Sequence, residues 1–167
     1  MIRNDKLRAL HISHLAGRVL DAIDKFLANE VLSADDLNKL KEGREFFKLA
    51  KRGRDLSRDY QLSADIAEAS STYGVVLRAT GYLAKNSHHF RQSKKDVGVI
   101  FDQYINTITD IIQTKNQSQE YREPAVILRD LFEFIQGAWL KKSLSNLKDV
   151  VTVIGNSSMR STPVSTR

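Results

Sequence analysis

Residues 97–112 read VGVIFDQYINTITDII, and this stretch decides the fold class because its apolar side chains recur at helical spacing. An α-helix has about 3.6 residues per turn, so apolar residues three and four apart share one face, whereas in a strand they would alternate. Five of them follow this rule, at intervals of 4, 3, 4 and 3 residues: Val97, Phe101, Tyr104, Ile108 and Ile111. The stretch therefore predicts an amphipathic helix with a broad apolar face.

The same spacing on both sides of this stretch predicts four further helices. Each of the five helices is expected to begin at a polar residue or a proline. The first N–H groups of a helix have no partner within the helix, and a polar side chain can accept a hydrogen bond from one of them, whereas proline has no N–H group to leave unpaired. In chain order these residues are Asp5, Ser33, Ser63, Ser93 and Pro124. The fifth helix is expected to bend near Ser143. Helices of about 20–25 residues joined by short loops predict an all-α, antiparallel helical bundle.

Length and composition are consistent with one domain. The chain has 167 residues and 41% hydrophobic residues, enough for one core, and residues 1–155 are expected to form it. Residues 156–167 are polar and are expected to be a disordered tail. The absence of Cys excludes disulfides, thiolate metal sites and cysteine nucleophiles.

No apolar run is long enough for a membrane span or a secretory signal. This predicts a cytoplasmic protein, or one delivered to a host cell by a route that needs no signal. Stable membrane insertion is not expected.

The net charge of +6 lies in one third of the chain, because residues 41–95 contain twelve basic and six acidic side chains and the rest is balanced. Several of the basic residues share one face of the second helix. The candidate residues for binding nucleic acid or another anion are Lys41, Arg44, Lys48, Lys51, Arg52, Arg54, Arg58, Arg91, Lys94 and Lys95. Such a surface binds phosphates with a strong dependence on salt. The alternative is a solvated helix face that keeps the protein in solution, and the interleaved Glu42 and Glu45 favour it.

The sequence contains no metalloprotease helix, no acyl-transfer serine motif and no nucleotide-binding loop. His11 and His14 are three residues apart and could share a metal, but no third ligand is identifiable, so neither a metal nor another cofactor is expected.

Arg8 and His14 are separated by five residues, which resembles the Arg-x(4–6)-His motif of the small helical ribonucleases of the HEPN family. The resemblance implies that the pair would polarise a phosphate and move a proton. The family places the motif late in its bundle, whereas here it lies in the first helix. The sequence therefore favours a protein that is not an enzyme.

The fourth and fifth helices carry more apolar residues than one packing face needs. The surplus residues, which predict a protein interface, are Ile100, Ile105, Ile112, Phe132, Phe134 and Trp139. The leading hypothesis is a non-enzymatic bundle that acts by association, as an adaptor, an assembly subunit or an inhibitor-like partner, and self-association is included. The alternatives are a nucleic-acid-binding accessory protein and a bundle whose apolar fourth helix acts on membranes.

Overall fold

The computed structural model describes residues 4–56, 64–87, 90, 96–113 and 122–158, and this part of the chain contains α-helices and no strand. The all-α prediction is confirmed. The helices are α1 (Asn4–Leu27), α2 (Ala34–Leu56), α3 (Ala64–Asn86), α4 (Val97–Gln113) and α5 (Arg122–Ser158).

The start of α2 is the capping box that the sequence predicts. The Asp36 backbone N–H donates to Ser33 Oγ at 3.1 Å, and the Ser33 backbone N–H donates to Asp36 Oδ2 at 2.9 Å. Two of the N–H groups that a helix start leaves without partners are thereby satisfied. Lys25 of α1 also donates to Asp36, at 3.1 Å, so the cap joins the two helices.

The starts and ends of the later helices differ in part from the prediction. The predicted caps Ser63 and Ser93 lie outside the described residues; Asp96 caps α4, because its Oδ2 accepts the backbone N–H of Gly98 at 3.1 Å. The helix α5 continues through Ser143, where the sequence predicts a bend, as one helix of 37 residues. It ends at Ser158, three residues beyond the last residue of the predicted domain, and residues 159–167 lie outside the described part.

The central helix of the bundle is α2, which packs against α1, α3 and α4, while α1 also packs along α5. Contacts between side chains show that the neighbouring helices run antiparallel, because one residue number rises as the other falls. Between α1 and α2 these contacts are Arg18–Glu42 and Lys25–Asp36, and between α2 and α4 they are Arg44–Thr109 and Lys51–Asp102.

The core is built from the apolar faces that the sequence predicts. Ile108 of α4 and Leu131 of α5 are both fully buried. The ring of Phe47 lies 5.1 Å from that of Tyr104 and 5.2 Å from that of Phe132, so three helices meet at this aromatic cluster. Burial raises the pKa of Tyr104 to about 12, and its hydroxyl shares a hydrogen bond with Thr80 of α3 at 3.0 Å.

Candidate functional site

Three of the predicted basic residues contact α4 or its cap and form what we call the α4 side of α2. These contacts are Arg44 Nη1 to Thr109 Oγ1 at 3.4 Å, Lys51 Nζ to Asp102 Oδ1 at 2.6 Å, and Arg54 Nη2 to Asp96 Oδ2 at 3.1 Å. The partners are between 42 and 65 residues away in sequence, so no local pattern in α2 announces them. These side chains therefore hold two helices together as well as carrying charge.

The other basic candidates are divided between the surface and the undescribed segments. Lys41, Lys48 and Arg52 are exposed on α2, and Lys48 pairs with Glu45 at 3.4 Å. Within the described part of the chain, neither Lys41 nor Arg52 has an ion-pair partner. The remaining four candidates lie outside the described residues: Arg58, Arg91, Lys94 and Lys95.

The candidate protein interface on α4 and α5 is corrected at two positions. Ile100 and Phe132 are 4% and 0% exposed, so they belong to the core and no partner can reach them. The physical reason is that α4 packs against both α2 and α5 and needs apolar residues on more than one side. The other four candidates are partly buried against the same core: Ile105, Ile112, Phe134 and Trp139.

A groove of about 800 Å³ lies where α1 and α3 flank α2, and the sequence analysis did not identify it. Its lining is mostly apolar by area, and its apolar residues are Ile12, Leu15, Phe46 and Leu49. Leu15 and Leu49 are half buried at the edge of the core, whereas Ile12 and Phe46 belong to the core itself. No residue pattern within a single helix announces the groove.

Charged side chains of both signs surround the apolar part of the groove. The basic or protonatable ones are His11, His14, Arg18 and Lys41, and the acidic ones are Glu42, Glu45 and Glu68. Arg18 of α1 donates to both carboxylate oxygens of Glu42 in α2, at 3.0 and 3.3 Å. The hydrogen bond and the charge of Glu42 raise the pKa of Arg18 above its ordinary value.

Two sequence predictions concern helix α1. One is the ribonuclease-like pair of Arg8 and His14, and the other is the expected lack of a metal site at His11 and His14. His14 is exposed at the groove, while the side chain of Arg8 lies outside the described part. Among the described residues, no three side chains of His, Asp or Glu are grouped to hold a metal ion.

No family model, curated protein or solved structure matches the chain. Within the described residues, no helix has both the length and the apolar character needed to cross a lipid bilayer.

Proposed function

We propose that this protein is a non-enzymatic helical bundle that acts by association, and that the groove between α1, α2 and α3 accepts one amphipathic helix of a protein partner. The observation that carries the proposal is the groove itself, which is open, mostly apolar and about 800 Å³ in volume. Laying the apolar face of a helix into an apolar groove is a common mode of protein recognition.

The dimensions of the groove suit a helix. Its lining on α2 runs from Asn38 to Leu49, which at 1.5 Å per residue is roughly 16 Å, or about three turns. An α-helix with its side chains is about 10–12 Å across, and it would lie along this length of α2 between α1 and α3. An added helix would contact all three helices and would cover Leu15 and Leu49, which are only half buried.

The charges favour a protein partner over a nucleic acid. Glu42, Glu45 and Glu68 line the groove, and their carboxylates repel a phosphate backbone. Because Lys41 and the two histidines of α1 line the same groove, a helix with both acidic and basic residues beside its apolar face is the complementary partner.

Photo-cross-linking in cells tests the proposal directly. The photoreactive residue p-benzoylphenylalanine is placed at Glu45 in the groove and, in a matched variant, at Val99, which is 47% exposed on α4. We expect position 45 to cross-link to one helical segment of a specific protein, identified by mass spectrometry, and position 99 to give no such product. The product should survive nuclease treatment of the lysate.

Two substitutions that introduce the same carboxylate, one inside the groove and one outside it, provide the control. Leu49→Glu puts a carboxylate into the apolar part of the groove, and we expect it to weaken capture of the cross-linked partner at least about tenfold, because the charge would have to be buried. Val99→Glu adds the same charge outside the groove and should leave capture unchanged. Equal cross-linking from both positions, or capture that nuclease abolishes, would contradict the proposal.

A further inference from the structure

Two aromatic rings stack at the surface where α3 meets α5. The centroids of Tyr82 and Phe134 are 4.2 Å apart with an interplanar angle of 17°. Tyr82 remains 45% exposed, although large aromatic side chains are usually covered. The pair therefore leaves part of the Tyr82 side chain open to solvent, away from the groove described above.

These rings border a pocket of about 310 Å³ whose ionisable side chains are acidic. Asp130 and Glu133 of α5 line the pocket, and so does Asn86, which is the last residue of α3. The amide nitrogen of Asn86 donates to the carbonyl oxygen of Tyr82 at 2.9 Å, which leaves its amide oxygen as an acceptor. The pocket thus combines ring faces, carboxylates and the C-terminal end of a helix, whose dipole is negative there.

We propose that this pocket binds an organic cation, an ammonium or guanidinium group, between the Tyr82–Phe134 rings and the carboxylates of Asp130 and Glu133. Aromatic faces attract cations through their quadrupole, and a nearby carboxylate adds a charge of the opposite sign. This site is separate from the groove and does not depend on the function proposed for it.

Among the described side chains of α3 and α5, no basic residue lines the pocket. Arg129 lies 3.6 Å from Asp130, and because both side chains are partly exposed, solvent screens this pair. Arg129, Arg78 and Lys85 do not line the pocket. Within the described part of the chain, Glu133 has no ion-pair partner.

An NMR titration of the full chain, followed at the ring carbons and protons of Tyr82, tests the proposal. The probes are tetramethylammonium and N-acetylarginine amide, with neopentyl alcohol as a neutral probe of similar shape to the first. We expect saturable binding of the cations with a Kd of roughly millimolar order, since the site is open to solvent, and no saturable binding of the alcohol. Tighter binding of the arginine probe would point to a side chain of a protein, and tighter binding of tetramethylammonium to a free small cation.

Substitutions separate the site from general charge effects. Glu133→Gln should weaken cation binding about threefold to tenfold, and Tyr82→Leu should remove saturation. Asp21→Asn removes the same charge from an exposed position of α1, outside both the pocket and the groove, and should change nothing. Equal binding of alcohol and cations, a linear response without saturation, or equal effects of Glu133→Gln and Asp21→Asn would overturn the proposal.

Discussion

The two sides of α2 have similar residues and different surroundings. On the α4 side, Arg44, Lys51 and Arg54 reach partners on α4 or its cap, and the adjacent Phe47 is fully buried. On the groove side, Lys41 and Glu45 are exposed and Leu49 is half buried, because no helix of the described chain lies over them. A charged stripe beside apolar residues can therefore be either a contact between helices or an open surface, and only the neighbouring helix decides which.

The largest expected effect is on stability, from truncating an apolar side chain on each side. Phe47→Ala removes a fully buried ring that contacts Tyr104 and Phe132, and we expect it to lower the free energy of unfolding by about 3–5 kcal/mol. Leu49→Ala on the groove side should cost only about 1 kcal/mol, because that side chain is only half buried and its loss leaves no closed cavity. Urea unfolding followed by circular dichroism measures both, and equal losses would mean that the groove is not open.

The next effect concerns the end of the groove, where the backbones of α2 and α3 touch. A Cβ added at Gly53 would overlap the backbone carbonyl of Ala69, so Gly53→Ala must push α3 away from α2. We expect a loss of about 1–3 kcal/mol or more in the same unfolding measurement.

Gly81→Ala is the matched control, because no atom lies within 4 Å of a Cβ added there on α3. It should stabilise the protein by about 0.5–1 kcal/mol, since alanine loses less backbone entropy in a helix. A neutral Gly53→Ala would mean that α2 and α3 do not meet this closely.

A third effect concerns the capping box at the start of α2, the helix to which both the α4 side and the groove side belong. Hydrogen bonds from the Ser33 backbone N–H, and then from Lys25 and the Ser33 hydroxyl, lower the pKa of Asp36 despite its burial. A carboxylate with a lowered pKa contributes stability that is present above its unfolded pKa of about 3.9 and is lost as the pH falls through its folded pKa.

We therefore expect Asp36→Asn to cost about 1–2 kcal/mol at pH 7, and the difference from the natural chain to shrink below about pH 4. Urea unfolding of both chains between pH 7 and pH 3 gives the comparison. A difference that stays constant over this range would show that the charge of Asp36 does not contribute.

The smallest effect is the ion pair across the α4 side. A double-mutant cycle with Lys51→Met and Asp102→Asn should give a coupling of about 0.2–1 kcal/mol, because both side chains are partly exposed and solvent screens them. Lys41→Met on the groove side should change stability by less than about 0.5 kcal/mol. A coupling near zero at low salt would mean that the Lys51–Asp102 contact does not hold α4 to α2.

The sequence was sufficient for the fold because helical spacing and capping are local. The spacing of Val97 to Ile111 places Phe101, Tyr104, Ile108 and Ile111 in the core, and Ser33 with Asp36 forms the predicted capping box. These features need only the interactions of residues within a few positions of one another.

The candidate sites could not be predicted in the same way, because they depend on contacts between distant helices. Lys51 had the pattern of a surface cation, and its partner Asp102 follows 51 residues later. Phe132 had the pattern of a surplus apolar residue, and only the arrangement of α2 and α5 shows that Phe47 covers it. The groove arises from the positions of α1 and α3 on α2, for which no single helix carries a signal.

The most direct test of the open groove side uses the absence of cysteine in this chain, which allows a single thiol to be introduced without background. The rate of alkylation by N-ethylmaleimide is measured for Glu45→Cys in the groove and for Ala50→Cys, a fully buried position of the same helix. We expect the thiol at position 45 to react nearly as fast as the thiol of a free peptide. The thiol at position 50 should react at least about a hundredfold more slowly, since its alkylation requires a local opening of the structure that costs about 2.7 kcal/mol or more. A thiol at position 45 that is as protected as the one at position 50 would contradict this expectation, because the surface proposed to receive the partner would then be covered by the protein itself.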